Sequence, residues 1–388
     1  MFFLFVSADW SELPNQILES VLERLDLLAD YVRFSVVCRS WNFIAKDNRK
    51  KRVKMPCCHP PPMLLINTDI GDIWKVYNVT DDKLLDLQVR VPNTRFCGSS
   101  KGWLIFVEND FTVTLINPFF RVRGRVEKEN SIIHLPPLRL IKEIDMSRVR
   151  HERYVYKATI SADPVLNANE CIVVVITQPG YQLAFIRLGK DRAWSYIDGR
   201  ARGRGFDEVI FLGGKFYGVR NNSRLLSLEI TRFSFNRKLA ARSLRRDHTI
   251  KSYLVYSNKK ELLMVERHIS FDRKNDMRTT SKFIIYKLNF DECKWTKKNS
   301  LGGETLFLGD NSSFSVISSS FPGCLRNCIY FTHDYDCFRS KFGPRGPNDF
   351  GVYVVEDESF LSIDSTKASM LVKMSLQPSI WILPTFQL

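Results

Sequence analysis

In the stretch Asp9 to Asn48, DWSELPNQILESVLERLDLLADYVRFSVVCRSWNFIAKDN, the apolar positions fall three and four residues apart. Leu13, Pro14, Ile17, Leu18, Val21, Leu22 and Leu25 make one wide apolar stripe, the pattern of a helix lying on a core. Asp9 or Ser11 is placed to cap its start, and Pro14 suits a first turn whose N–H has no helical acceptor. Asp26 and Asp30 mark a break. Asp30 then stands where a cap belongs for a second helix through Tyr31, Val32, Phe34, Val36 and Val37. Cys38, Trp41, Phe43 and Ile44 carry the pattern into a third short helix. These are more large apolar groups than three short helices can hide among themselves, and a domain below about 40 residues usually needs outside help. The stretch reads either as a helical module with one apolar face covered by another protein, or as an ordinary helical subdomain of this chain.

The texture then changes. MPCCHPPPM (55–63) stops a helix and stiffens the chain, which predicts a linker over 51–63. From Met63 onward short apolar runs alternate with Gly, Asn, Asp and Ser, the sign of many short strands. The runs recur in groups of four. One group is FCGSS (96–100), GWLIFV (102–107), TVTLIN (112–117) and SIIHLP (131–136). The next is KATISA (157–162), CIVVVI (171–176), LAFIRL (183–188) and WSYID (194–198). FDEVIFL (206–212), GKFYGV (214–219) and LLSLEI (225–230) follow. After them come SYLVYS (252–257), ELLMVE (261–266), FIIYKL (283–288) and WTKKNSL (295–301). The last group is TLFLGDNSSFSVI (305–317), CIYFTH (328–333), GVYVVE (351–356) and SFLSI (359–363). An incomplete group, MLLIN (63–67), IWKVYN (73–78) and LLDLQV (84–89), starts the domain.

Four-stranded repeats of this length predict a β-propeller of about six blades, with one or two β-sandwiches as the alternative. The final apolar run, Ile380 to Leu383, stands where a closing strand is needed and can complete the first group. The expected fold class is therefore α+β and multidomain: a small three-helix module, then an all-β propeller. The expected boundaries are a tail over 1–8, the helical module over 9–50, the linker over 51–63 and the propeller over 64–384.

Composition adds bounds. The 388 residues allow two or three domains, and 28 Phe favour β-structure after the module. No apolar run approaches the roughly 18 residues of a membrane span. The opening MFFLFV is too short for a signal-peptide core, so the chain is expected in the nucleus, the cytoplasm or both, with reduced thiols. The net charge of +15 permits attraction to nucleic acid or acidic proteins. Basic runs lie at Arg49 to Lys54, Arg121 to Arg125, Arg148 to Arg153 and Arg237 to Arg246. The first resembles a nuclear import signal or, more plainly, a solvated helix exit.

Leu13-Pro14, Ile17-Leu18, Leu22 and Leu25, followed by Val37-Cys38 and Trp41, resemble an F-box. Further on stand NPF (117–119), HLPP (134–137), LGGKFYGV (212–219), SLGGETLFLGDNSSFSV (300–316), FPGCLRNCIYFTHD (321–334) and WILP (381–384). With these the chain is similar, from Asp9 to Pro384, to plant F-box proteins with a C-terminal KIB-type β-propeller, the domain of unknown function 295 family. The resemblance implies a substrate-recognition subunit of an SCF-type (Skp–cullin–F-box) ubiquitin ligase. Leu13, Pro14, Ile17, Leu18, Leu22, Leu25, Val37, Cys38 and Trp41 would bind the Skp-type adaptor at least in part, and through it the cullin and RING subunits, while some of them instead hold the three helices together. The propeller would hold a protein substrate. Two stretches depart from the family pattern, the basic Leu138 to Lys157 and the Gly/Pro-rich Phe338 to Phe350, and these are expected to carry specificity.

Signatures of catalysis are missing from the sequence: no phosphate loop, no G-x-S-x-G elbow and no H-E-x-x-H helix. His59, His134, His151, His248, His268 and His333 are scattered. Cys324, Cys328 and Cys337 with His333 lack paired zinc-ligand spacing, and Cys57-Cys58 is no better. No cofactor or metal is expected, and the chain reads as a non-catalytic adaptor. The basic balance and RARGRGF (200–206) leave a nucleic-acid-binding protein with a helical docking module as the alternative, since RNA readers interleave aromatic residues with positive grooves. Trp103, Trp194 and Trp295 recur at similar points of the repeats and read instead as blade packing.

Overall fold

The computed structural model describes residues 10–25, 34–35, 37–52, 61–68, 71–121, 131–139, 151–178, 181–197, 205–220, 224–230, 235–241, 250–272, 277–334, 349–361, 371–372, 375 and 377–384. It forms two compact units, Met1–Pro61 with Pro384–Leu388, and Pro62–Leu383. Among the described residues no helix is long and apolar enough to cross a membrane.

Among its described residues the first unit holds a 3-10 turn, Trp10–Glu12, and the helices α1 (Asn15–Glu23) and α2 (Arg39–Arg52), with Phe34 and Ser35 also helical. Helix α1 starts after Pro14, which has an extended conformation and whose carbonyl accepts the N–H groups of Ile17 and Leu18. Pro14 itself stands at the N-cap and makes no side-chain cap hydrogen bond, so the helix starts later than a Ser11 cap would place it, and Asp9 lies outside the described residues. Most of the expected second helix also lies outside them. The expected short third helix is longer than its apolar pattern and runs through Arg49 to Arg52.

The second unit contains six sheets, the blades of a six-bladed propeller. The first blade is ordered β25-β1-β2-β3, from β1 (Met63–Asn67), β2 (Ile73–Asn78), β3 (Lys83–Arg90) and β25 (Ile380–Ile382). The second is β4 (Phe96–Ser100), β5 (Trp103–Val107), β6 (Thr112–Ile116) and β7 (Ile132–Pro137). The third is β8 (Val155–Ile160), β9 (Ile172–Thr177), β10 (Gln182–Arg187) and β11 (Ser195–Ile197). Ahead of it lies the one-turn helix α3 (His151–Tyr154). The fourth blade is β12 (Phe206–Leu212), β13 (Lys215–Arg220), β14 (Leu225–Ile230) and β15 (Phe235–Ala241). The fifth is β16 (Ile250–Tyr256), β17 (Leu262–Asp272), β18 (Met277–Asn289) and β19 (Lys294–Lys298).

Two repeats differ from their sequence pattern. Strand β15 was hidden because it is an outer edge strand whose Arg237 and Lys238 read as part of a basic run. In the last repeat 305–317 is a hairpin rather than one strand. It comprises β20 (Glu304–Leu308) and β21 (Ser313–Ile317), turned at Gly309, whose N–H donates to the Ser312 carbonyl at 2.9 Å. With β22 (Cys328–Phe331), β23 (Gly351–Val354) and β24 (Ser359–Leu361) it makes a five-stranded blade ordered β21-β20-β22-β23-β24. Here β20 pairs in parallel with β22, so the strand nearest the axis comes second in the chain.

Adjacent blades meet through one edge strand each: β25 with β4, β4 with β8, β8 with β12, β12 with β16, and β16 with β21. Between the sixth and first blades, Ser312 Oγ donates to the Trp381 carbonyl at 2.8 Å. The core lies in the faces between blades. Trp74, Trp103, Trp381, Tyr253 and Phe307 are fully buried there, each a large apolar surface withdrawn from water.

Candidate partner-docking face

Helix α1 has two apolar stripes. Leu18 and Leu22, four residues apart, are buried against Phe34, Ile44 and Ala45, with Leu13, Leu25 and Trp41 packed partly around them. The Trp41 ring lies 4.5 Å from that of Phe34, and its indole N–H donates to the Trp10 carbonyl at 2.9 Å. Burying a Leu fully is worth about 1.5–3 kcal/mol, so this small cluster is what holds the helices together. The expectation that Leu18 and Leu22 face a partner is therefore corrected: they face the module's own core, and Leu13, Leu25 and Trp41 are shared with it. The spacing of α1 could not separate the stripes, because both have helical period.

The second stripe is uncovered. Pro14 and Ile17 are exposed, with Val21 one turn on and Trp10 one turn before. Ile17 is 49% exposed, Val37 54%, Phe43 65% and Trp10 66%. Cys38 is half-buried at the start of α2. Of the expected site residues, then, Pro14, Ile17 and Val37 stand on the surface. Trp10, Val21 and Phe43 join them as residues the sequence pattern did not single out for contact. This much exposed apolar surface on so small a module costs solubility unless it is covered.

A second constellation stands at the propeller axis, where the inner strands begin. Arg95, just before β4, donates to Asp310 Oδ2 from Nε at 3.1 Å and from Nη2 at 2.8 Å, and to the Val155 carbonyl at 2.9 Å. Lys157 on β8 lies 3.1 Å from Glu208 on β12 and donates to the Asp310 carbonyl at 3.3 Å. Lys251 on β16 is 2.8 Å from Asp334 and 3.4 Å from Asp310. Arg267 on β17 pairs with Asp334 at 2.9 Å and Asp349 at 2.8 Å. Burial pushes the Asp334 carboxyl up, but Lys251 and Arg267 overcome it and hold its pKa well below the carboxylate range. Burial raises the Glu208 pKa against the pull of Lys157. Among the described residues four cations meet four carboxylates in this cluster, and these pairs clasp the blades together. Single charged residues in apolar alternation, such as Glu208 in FDEVIFL, were its only trace in the sequence.

The remaining candidates are structural. Trp103, Trp194 and Trp295 are buried between blades, and the Trp194 indole donates to the Pro136 carbonyl at 2.6 Å, so none is a stacking platform for bases. Burial pushes the Cys328 thiol up to about 11. Among the described residues no group of His, Cys, Asp and Glu could hold a metal. Cys337, much of RARGRGF and most of the two departing stretches lie outside the described residues.

A family model for the KIB1-4 beta-propeller matches residues 76–354, and one for the F-box domain matches residues 10–53. The chain belongs to the KIB1-4 beta-propeller family. F-box protein At5g55150 of Arabidopsis thaliana is 24% identical over 92% of this chain and 93% of its own length. F-box protein SKIP23 of the same plant is 24% identical over 89% of each. The helical unit is thus the F-box, a module that generally binds Skp-type adaptors and is generally non-catalytic, and the six blades are the KIB1-4 propeller. The exposed stripe from Trp10 to Val21 lies on the F-box.

Proposed function

We propose that this KIB1-4 family member is the substrate-recognition subunit of an SCF-type ubiquitin ligase. Its F-box docks on a Skp-type adaptor through Trp10, Pro14, Ile17 and Val21, with Val37, Cys38 and Phe43. Leu13, Leu25 and Trp41 support that face from behind. The propeller holds a protein substrate, and the cullin-borne RING subunit with its ubiquitin-carrying partner supplies the chemistry. The chain itself contributes proximity, which makes a bimolecular transfer effectively local.

One observation carries this reading: the F-box core is filled by Leu18, Leu22, Phe34 and Ile44, yet an apolar stripe remains outside it. Apolar stripes of that size are hot-spot material for a helical partner. The test is reconstitution. The full chain, a Skp-type adaptor, a cullin and a RING subunit should co-elute as one complex that transfers ubiquitin to a bound protein. Failure of the full chain to co-elute with any Skp-type adaptor would remove the proposal.

A further inference from the structure

Directly ahead of the exposed stripe the sequence reads MFFLFVSAD, and Trp10 follows. Met1 to Val6 are all apolar, three of them Phe, and no charged side chain stands before Asp9. These residues lie outside the described ones, but the surface they lead into is described. Trp10, Pro14, Ile17 and Val21 are exposed along one side of α1, with Leu18 and Leu22 fully buried behind them. The stripe carries no charged side chain. Ser20 and Arg24, three residues on from Ile17 and Val21, are exposed at its outer border.

Run and stripe match in length as well as in kind. Six residues in extended form span up to about 20 Å, and the nine residues of α1 rise about 13 Å. Between run and stripe stand Ser7, Ala8 and Asp9, of which Ser and Asp favour tight turns. A reversal there lays the run back along α1. In an extended run alternate side chains point the same way, so Phe3 and Phe5 share one face. A tether this short holds the run near the stripe at an effective concentration in the millimolar range. A contact with a dissociation constant of about 1 mM, negligible between separate molecules, is then about half closed.

We propose that Met1 to Val6 form a strap that closes over Pro14, Ile17 and Val21 when no adaptor is bound, with Phe3 and Phe5 as its contacts. The inference rests on the adaptor-docking reading and names how that face is regulated. Strap and adaptor compete for one surface. The adaptor meets only the open fraction of molecules, and its apparent dissociation constant rises by the inverse of that fraction. Salt leaves the contact in place, because screening acts on charges and the strap has none.

The test uses the full chain in two measurements. The first sets a photo-crosslinker in the run, as Phe3→p-benzoylphenylalanine, and maps its products by mass spectrometry without adaptor. Products should fall in residues 13–24 of the same molecule, and should vanish as a Skp-type adaptor is added to saturation. The second is the adaptor's dissociation constant for Phe3→Ser/Phe5→Ser and for a chain lacking residues 2–6. Both should bind about threefold to tenfold more tightly than the parent, at low and high salt alike, with melting unchanged. Products outside 13–24, or products joining two copies in an isotope-mixed sample, overturn the strap. Unchanged adaptor binding by the variants overturns it too. So does weaker binding, which would make the run an extension of the docking face. The crosslink is read without adaptor, so the two readings fail separately. Adaptor binding without a crosslink to 13–24 removes the strap alone. A crosslink to 13–24 in a chain that binds no Skp-type adaptor removes the ligase reading, and with it the strap's control of docking.

Discussion

Leu64 and Trp381 sit opposite each other in an antiparallel ladder, although almost the whole propeller lies between them in sequence. The pairing puts the last described strand at the axis and makes it the inner strand of the first blade. The Trp381 indole N–H then donates to the Leu308 carbonyl at 3.1 Å in the sixth blade, and its ring meets Phe307 edge-on at 5.1 Å. One residue therefore joins both sides of the closure.

Trp381→Ala should cost about 3–5 kcal/mol, the range for emptying a buried aromatic site. Urea unfolding followed by circular dichroism measures it. Removing residues 379–388 should lower the melting temperature of the whole propeller and promote aggregation, because β1 becomes an open edge. Unchanged melting on truncation would mean that the ring does not close through β25.

Gly323 tests the same junction from the other face. Its backbone has φ +85°, and an added Cβ would lie 1.9 Å from the Thr80 carbonyl oxygen in the first blade. Gly323→Ala should force the two loops apart and destabilise the propeller by more than about 1 kcal/mol, beyond the ordinary effect of such a change. The check is a melting curve against Gly303→Ala, where a Cβ meets nothing.

Asp310 is the hub of the axial cluster. Asp310→Asn leaves Arg95 and Lys251 buried with one charge fewer between them, and breaking a buried pair costs about 3–5 kcal/mol. Chemical denaturation of the full chain should show that loss. Its size should change little with salt, because screening barely reaches buried charges.

Much of this architecture was legible in the sequence. Alternation of apolar and polar residues located most strands, and the Ile380 to Leu383 run pointed to closure. What escaped did so for local reasons. The GDNS turn inside 305–317 was read through because the runs on either side are equally apolar. Strand β15 carries Arg237 and Lys238 on an outer edge, where polarity is no bar to pairing. The axial cluster was illegible because its members lie far apart in sequence and only the ring brings Arg95 to Asp310. On the F-box, periodicity found α1 but could not tell which of two adjacent stripes faces inward, since Ile17 and Leu18 both fit a helix.

His333 supplies a pH prediction. Burial pushes its pKa down to about 4, against the raising influence of Asp334 and Asp310, with Arg267 lowering it and Asp349 raising it. A depressed folded-state pKa gives stability that is present above the unfolded value of about 6.5 and is lost as pH falls toward 4. Asp334, also depressed, loses its share at lower pH still. The melting temperature should therefore fall as pH drops from 6.5 to 4, and His333→Gln should flatten that part of the curve. An identical slope in the variant would assign the loss to other groups.

The central claim is that the outer stripe of α1, and not its inner one, meets the adaptor. The direct measurement is the dissociation constant of a Skp-type adaptor for the full chain, by titration calorimetry, with a melting curve for each variant. Pro14→Ala with Ile17→Ala should weaken binding by about 1–4 kcal/mol, roughly tenfold to several-hundredfold, with melting unchanged. Leu22→Ala should instead lower the melting of the F-box by opening its core, at about 2–5 kcal/mol. Equal adaptor affinity for the parent and the Pro14→Ala/Ile17→Ala protein would contradict the account.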